Sequence, residues 1–292
     1  MTSVPGSPCA GTSTGVGSRH TLVPDVARQR RSTLRSVFSI GHHGQVPEPD
    51  RHDDVATLAL TGRSTLHRKK ERGSHQRDLV NAILDEGLLC HVGLAAEGST
   101  FVMPMAYARV EDTLYLHGAT GNRLLRKMAE GVEVCVTVTL LDALVLARSA
   151  FHHSMNYRSV MLFGTCTRVD DDDEKRKASN ALLEHMAPGR SADARPPSID
   201  ELRAVLIVRV PIAEGSAKVR SGGPIDEPED LAAPIWAGII PFSTIASAAV
   251  ADGEGLPDIE EPSYVRRYPA RSVGVPATAP ALSPPTVVEP GG

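Results

Sequence analysis

Two stretches of this chain bring together residues that could do chemistry. The first is Leu114-Tyr115-Leu116-His117-Gly118-Ala119-Thr120-Gly121-Asn122-Arg123-Leu124-Leu125-Arg126-Lys127-Met128. Its first half alternates and carries strand formers. Its second half sets Leu124, Leu125 and Met128 at helical spacing, with Arg123, Arg126 and Lys127 on the polar side. This predicts a strand, a tight glycine-containing loop and a helix start. The first-turn amides of a helix have no partner inside the helix, and the dipole adds partial positive charge there. With Arg123 beside them they make a natural seat for a phosphate. The same residues also suit an ordinary strand-to-helix turn with a solvated basic face.

The second stretch is Ala147-Arg148-Ser149-Ala150-Phe151-His152-His153-Ser154-Met155-Asn156-Tyr157-Arg158-Ser159-Val160. It packs two arginines, two histidines and a tyrosine between two apolar segments. A solvated loop is the plain alternative. A metal ligand set needs carboxylates or further histidines beside the pair, so no metal is expected. No nucleophile–base pair can be assigned from spacing.

Composition narrows the partners. The chain has 292 residues, of which 41% are apolar, enough for a real core. A net charge of -4 gives no electrostatic case for nucleic acid. No apolar run approaches the roughly 18 residues of a membrane helix. Cys9, Cys90, Cys135 and Cys166 form no CxxC pair. The last three sit in apolar runs as small hydrophobes, which suits a reducing cytoplasm. Arg30-Arg31 is followed only by the short Val37-Phe38-Ser39-Ile40, too little apolar chain for a twin-arginine export signal.

The elements that must position these stretches lie in the middle of the chain. Residues 1–67 are rich in Gly, Ser, Pro, Arg and His without periodicity and read as a disordered extension. Residues 251–292 read as a flexible Pro-rich tail, which leaves one domain over 68–250. Within it, 79, 80, 83 and 84 share a helical face that stops at Gly87. Strands are expected over 88–95, as a buried strand, and over 100–109, 113–117, 132–141, 144–148 and 157–169. The last two of these follow a break at Asp142-Ala143 and the second stretch. A helix over 174–186 follows the acidic run at 170–173. Further strands are expected from 204 toward Lys218, and over 235–243. Six or seven mostly antiparallel strands with a few small helices predict a mainly β, α+β fold built on a closed or partly closed barrel. No GxGxxG follows a strand, so a doubly wound nucleotide fold is not expected.

The series Ile83-Leu84-Asp85-Glu86-Gly87, Val102-Met103-Pro104-Met105-Ala106-Tyr107-Ala108-Arg109, Leu114-Tyr115-Leu116-His117-Gly118, Val134-Cys135-Val136-Thr137-Val138-Thr139 and Phe151-His152-His153-Ser154-Met155-Asn156-Tyr157-Arg158-Ser159-Val160 resembles a known family. It is the pyridoxamine 5′-phosphate oxidase-related, flavin-nucleotide-binding family, and within it the nitroimidazole-resistance-like branch. Ser216-Ala217-Lys218-Val219-Arg220 and Ile235-Trp236-Ala237-Gly238-Ile239-Ile240-Pro241 fit the same branch, so the resemblance covers about residues 68–245.

That resemblance implies a split β-barrel homodimer with FMN in a cleft between subunits. The Val102 to Tyr107 strand would lie along the isoalloxazine, with Pro104 and Met105 as its cofactor-binding residues. His117, Gly118, Ala119, Thr120, Asn122 and Arg123 would surround the ribityl phosphate, and Tyr157, Arg158 and Ser159 would approach the flavin. Gly121-Asn122 stand where relatives often carry a serine, so the loop keeps its amides and arginine and lacks a hydroxyl. The implied activity is that of an FMN-dependent oxidoreductase, with NAD(P)H as donor and a small acceptor such as a nitroaromatic or quinone. Tyr157 and His152 are then the candidates to tune or protonate. The Arg/His substrate signature of true pyridoxamine phosphate oxidases is missing after Trp236, which leaves the substrate open. Rival readings are a flavin- or haem-binding protein without turnover, with His152 or His153 as axial ligand, and a deazaflavin-dependent reductase. Lys218 could face a substrate anion or be a solvated strand-end lysine. Trp236 could cap the flavin site or fill the core, with the core favoured.

Overall fold

The structure, a computed structural model, describes residues 56–254 and 259–268, and the backbone alone at 273–274. In chain order come β1 (Gly73–Ser74), α1 (Arg77–Glu86), β2 (Leu89–Ala96), β3 (Ser99–Val110), β4 (Thr113–Ala119), α2 (Arg123–Ala129), β5 (Glu133–Leu146) and β6 (Ser154–Thr165). They are followed by β7 (Thr167–Arg168), α3 (Asp172–Met186), α4 (Arg190–Asp193), α5 (Ile199–Ala204), β8 (Val205–Pro211) and β9 (Glu214–Arg220). The last elements are β10 (Gly238–Pro241), β11 (Ser243–Thr244), α6 (Ser263–Arg267) and β12 (Val273–Gly274).

The main sheet runs β1-β9-β6-β5-β2-β3-β4-β8-β7, with β10 added to β5. Its named strands pair antiparallel throughout. The β2–β3 hairpin turns at Glu97 and Gly98, both left-handed at φ 52° and 74°, the pairing that a two-residue hairpin loop demands. The sheet path is not closed by a ladder. Instead it curls until side chains meet: Leu114 and Leu116 of β4, Val208 and Val210 of β8, and Val160 and Leu162 of β6 share one buried core. Gly164 of β6 is needed at that seam, because a Cβ there would lie 2.9 Å from Val210 Cγ1. The fold is thus the expected mainly β, split-barrel type.

Helices follow the same logic. α1 buries Val80, Ile83 and Leu84 at helical spacing, and the Gly87 N–H closes it on the Ile83 carbonyl. α3 is capped by the Asp171 carboxylate, which accepts from the Glu174 amide at 2.8 Å.

Several expectations are corrected. The break at Asp142-Ala143 is a bulge inside one continuous strand, with the register shifting between Leu141 and Ala143. It survives because Asp142 finds partners: its carboxylate meets Arg158 and its carbonyl accepts from Phe242 N. The strand from 157 begins earlier, at Ser154, and changes partner after Thr165, since β7 pairs with β8. β8 does not continue toward Lys218. Pro211 ends it, and β9 pairs with β6 in the other half of the sheet.

The extension expected over 1–67 lies outside the described residues as far as 55. From 56 onward the chain packs: Leu58 is 2% exposed, its N–H donates to the His75 carbonyl, and Arg63 pairs with Glu214. Part of the tail also packs. Tyr264 of α6 donates to Asp193 at 2.6 Å and Tyr268 to the Met186 carbonyl at 2.6 Å. Trp236, expected in the core, is 67% exposed and folds over Gly238.

Candidate functional site

Directly paired residues on neighbouring strands share a face, and successive residues alternate. The register therefore lays out the outer face of the sheet. Pro104, His91, Thr137 and Met161 form one row across β3, β2, β5 and β6. Thr139, Ser159 and Lys218 form the next, and Leu141, Tyr157 and Arg220 the one after. Val102 is 63% exposed, Leu89 50% and Leu141 44%. A sheet centre carrying apolar side chains open to solvent marks a surface that something covers.

This geometry sorts the expected residues. Pro104, Tyr157 and Ser159 stand on the open face. Met105, one residue from Pro104, packs against the core, and its carbonyl accepts from the Cys90 thiol at 3.4 Å. Arg158 also turns away. Its guanidinium pairs with Glu86 at the end of α1 and with Asp142, so it ties α1 to the β5 bulge. His91 was missed by sequence reasoning because 88–95 read as a buried strand, and Thr137 and Thr139 because 132–141 was read for its strand character alone. The polar residue at 91, between Cys90 and Val92, and the threonines alternating with Val136 and Val138 are the signals that could have revealed them.

The loop before α2 matches the strand–loop–helix expectation. Ala119, Thr120, Gly121, Asn122 and Arg123 are all exposed. Asn122 is committed to the helix cap, where its Oδ1 accepts from Leu125 N at 3.0 Å. Gly118 permits a close approach, since a Cβ there would lie 3.0 Å from Leu125 Cδ2. Arg123 is available: it is held by a surface ion pair to Glu97 at 2.5 Å and lies over the Phe101 ring. A pair this exposed contributes little, so a phosphate can replace the carboxylate.

His117 leads to a different surface. In β4, Leu114 and Leu116 enter the main core, while Tyr115 joins Ile207, Val169 and Ala178 of α3 in a second small core. Tyr115 donates to Glu174 at 2.9 Å, and Arg209 clamps the same carboxylate. Burial, then the Glu174 bond, pushes the Tyr115 hydroxyl up to about 12. His117 lies on the Tyr115 side and lines an open cleft of about 300 Å3 with Asn180, Leu182, Leu183, Met186 and Val205. Its Nδ1 is buried without a hydrogen-bond partner, and burial lowers its pKa, so the ring is neutral at pH 7.

The 147–160 stretch does not gather around one point. His152 Nε2 lies 3.5 Å from Glu227, and its ring meets exposed Phe151 edge-on. His153 Nδ1 bonds the Ser149 carbonyl at 3.0 Å. Arg148 binds the buried Asp226 carboxylate at 2.8 Å. These groups fix the far end of the β5–β6 hairpin, while Tyr157 stands on the open sheet face. Among the described residues no group of three His, Cys, Asp or Glu side chains could hold a metal ion. Burial pushes the Cys90 and Cys166 thiols up to about 12, so neither is a ready nucleophile.

Comparison with known proteins fits this geometry. Residues 76–219 match the family model described as pyridoxamine 5′-phosphate oxidase. The solved flavocytochrome Anf3 from Azotobacter vinelandii is 35% identical, with a TM-score of 0.68 over 71% of this chain and 97% of the other. The FAD and heme binding protein from Mycobacterium smegmatis is 37% identical, with a TM-score of 0.65 over 68% of this chain and 97% of the other. A search of curated protein sequences returned no match.

Proposed function

We propose, from the premise that this chain belongs to the pyridoxamine 5′-phosphate oxidase-like family, that it binds a flavin nucleotide and works as a redox protein. The observation that carries this reading is the open sheet face bearing Pro104, His91, Tyr157 and Ser159, with the Arg123 loop at one end. In this reading the flavin ring would lie on that face, and Arg123 would exchange Glu97 for its phosphate. A single phosphate seat favours FMN, although the M. smegmatis relative is named for FAD. The bound flavin supplies hydride or electron transfer. The chain's own residues would bind and orient it: Arg123 would hold the phosphate, Pro104 would offer a flat surface, and the Tyr157 hydroxyl would donate toward the ring or a substrate. NAD(P)H is the proposed donor and a small nitroaromatic or quinone the acceptor.

A second copy is the proposed cover for the open face, because Leu89, Val102 and Leu141 are apolar and isologous pairing is the commonest closure. No described helix is long and apolar enough to cross a membrane. A cytoplasmic site of action is proposed on the free cysteines Cys90, Cys135 and Cys166.

The His117 cleft supports a second reading, in which the protein also holds haem. A histidine that ligates haem does so as a neutral imidazole, and His117 meets that condition in a cleft lined by Leu182, Leu183 and Met186 together with the polar Asn180, Arg195 and Glu201. His152 and His153 do not, since their ring contacts lie at the hairpin end. Both similar solved structures carry haem in their names or are called flavocytochromes.

The visible spectrum of the purified full chain tests both readings. Flavin bands are expected, and a colourless protein that takes up neither FMN nor FAD would defeat the first. A Soret band lost in His117→Ala and kept in His153→Ala supports the second; the reverse pattern defeats it.

A further inference from the structure

Among the described residues, Arg220 is a buried cation without a counter-ion. It is 6% exposed, yet its guanidinium meets only neutral acceptors. One terminal nitrogen donates to Asn156 Oδ1 and the other to the Gly223 carbonyl at 3.3 Å. Its Nε is buried and has no partner. Elsewhere in the fold Arg109, Arg148, Arg158 and Arg209 each hold a carboxylate, respectively Asp85, Asp226, Asp142 and Glu174. Arg72 precedes Gly73, which pairs with Lys218 on β9, so it brings a like charge to the Arg220 end of that strand. The carboxylate nearest Arg72, Glu71, is 4.0 Å away and 66% exposed, too loose to neutralise the pair. A buried charge left unpaired is strongly unfavourable, and proteins that keep one supply an opposite charge.

We propose that Arg220 and Arg72 form a seat for an oxyanion, the phosphate or carboxylate of a small acidic ligand. A guanidinium has five N–H donors, and two of those on Arg220 are engaged. The Nε edge is the fork that takes an oxyanion through two parallel bonds. Entry is through the turn Ser221-Gly222-Gly223. Gly222 has φ 100° with open space where a side chain would be, and the Gly223 carbonyl makes the longer of the two contacts. An incoming oxyanion displaces that carbonyl.

This seat is distinct from the loop at 117–123. Arg220 stands level with Tyr157 and Leu141, whereas Arg123 pairs with Glu97 at the β2–β3 turn, which the β2–β5 register puts beyond the start of β5 at Glu133. Leu141 and Glu133 lie eight residues apart on β5, so at about 3.4 Å per residue the two seats are separated by roughly 27 Å along the strands. One phosphate cannot serve both. The Arg220 seat therefore fits a second acidic molecule whose body would lie against Tyr157. The seat does not depend on which cofactor the chain binds.

Thermal unfolding of the full chain tests the seat with inorganic phosphate and with succinate, each against sodium chloride at matched ionic strength. Either anion is expected to raise the midpoint, and to do so in Arg123→Ala as well, which excludes the other loop. Arg220→Met should abolish the rise, and Arg72→Ala should weaken the apparent affinity roughly tenfold. No rise in the parent chain, or an equal rise in Arg220→Met, overturns the proposal. Should Arg220→Met fail to fold, Arg220→Lys decides: it keeps the charge and loses the fork, so parental affinity in that variant also overturns the seat. A response to phosphate without one to succinate assigns the seat to phosphate esters, and the opposite response assigns it to carboxylic acids.

Discussion

Arg158 Nη2 lies 2.9 Å from Asp142 Oδ1, and the same guanidinium reaches Glu86 at the end of α1. One side chain thus joins the β5 bulge, β6 and the helix that packs Val80, Ile83 and Leu84 into the main core. The Asp142 side chain is only 5% exposed, so the pair is structural in position although its neighbours Tyr157 and Ser159 face the open sheet.

Arg158→Ala should therefore cost stability before it costs ligand. Removing the cation leaves Asp142 buried without its partner, a loss of about 3 kcal/mol. Urea unfolding measures it. A variant of parental stability that has lost flavin would instead return Arg158 to the binding face.

Arg123→Ala should weaken FMN binding by about 1.5 kcal/mol, the low end for a charge-assisted contact because the site is exposed. Riboflavin, which lacks the phosphate, should bind both proteins alike. Fluorescence titration compares the two ligands. Equal losses for both would move the phosphate away from the loop before α2.

His117 gives the stability a pH dependence. Burial holds its folded pKa below the ordinary value of 6.5. As pH falls below that value the unfolded chain takes up a proton that the folded chain resists. The stability is thus fully present above about pH 6.5 and is lost as pH drops through the lower folded value. His117→Gln removes this component. The parent should lose more unfolding free energy than the variant between about pH 7.5 and pH 5, and parallel profiles would show that His117 is not the group involved.

Leu58→Ala should destabilise the chain by about 2–3 kcal/mol, since the side chain is 2% exposed and enters the main core. Truncation through residue 67 should lower the melting point as well, because it also removes the Arg63 contact with Glu214. Unchanged melting after that truncation would mean that residues 56–67 are not part of the folded unit.

The sequence by itself determined what depends on neighbours in the chain. Alternation in 132–141 and helical spacing at 79, 80, 83 and 84 specify which side of each element is apolar, and the Gly118–Arg123 loop announces its own turn and helix start. These are local matters of backbone geometry and burial. Tertiary structure decided which residues meet. Tyr157 joins Pro104 and His91 on one face only because β6 pairs with β5, β5 with β2 and β2 with β3 in a particular register. A shift of one residue would have turned Tyr157 inward and Arg158 outward. Asp142 shows the same limit. Read locally it breaks a strand, and only the arrival of Arg158 lets the strand run through it. His117 lines its cleft with α3 residues more than sixty positions later in the chain, and Arg220 is left without a carboxylate among the described residues by packing that no local pattern encodes. Long-range pairing sets those contacts, and the periodicity of one sequence does not specify it.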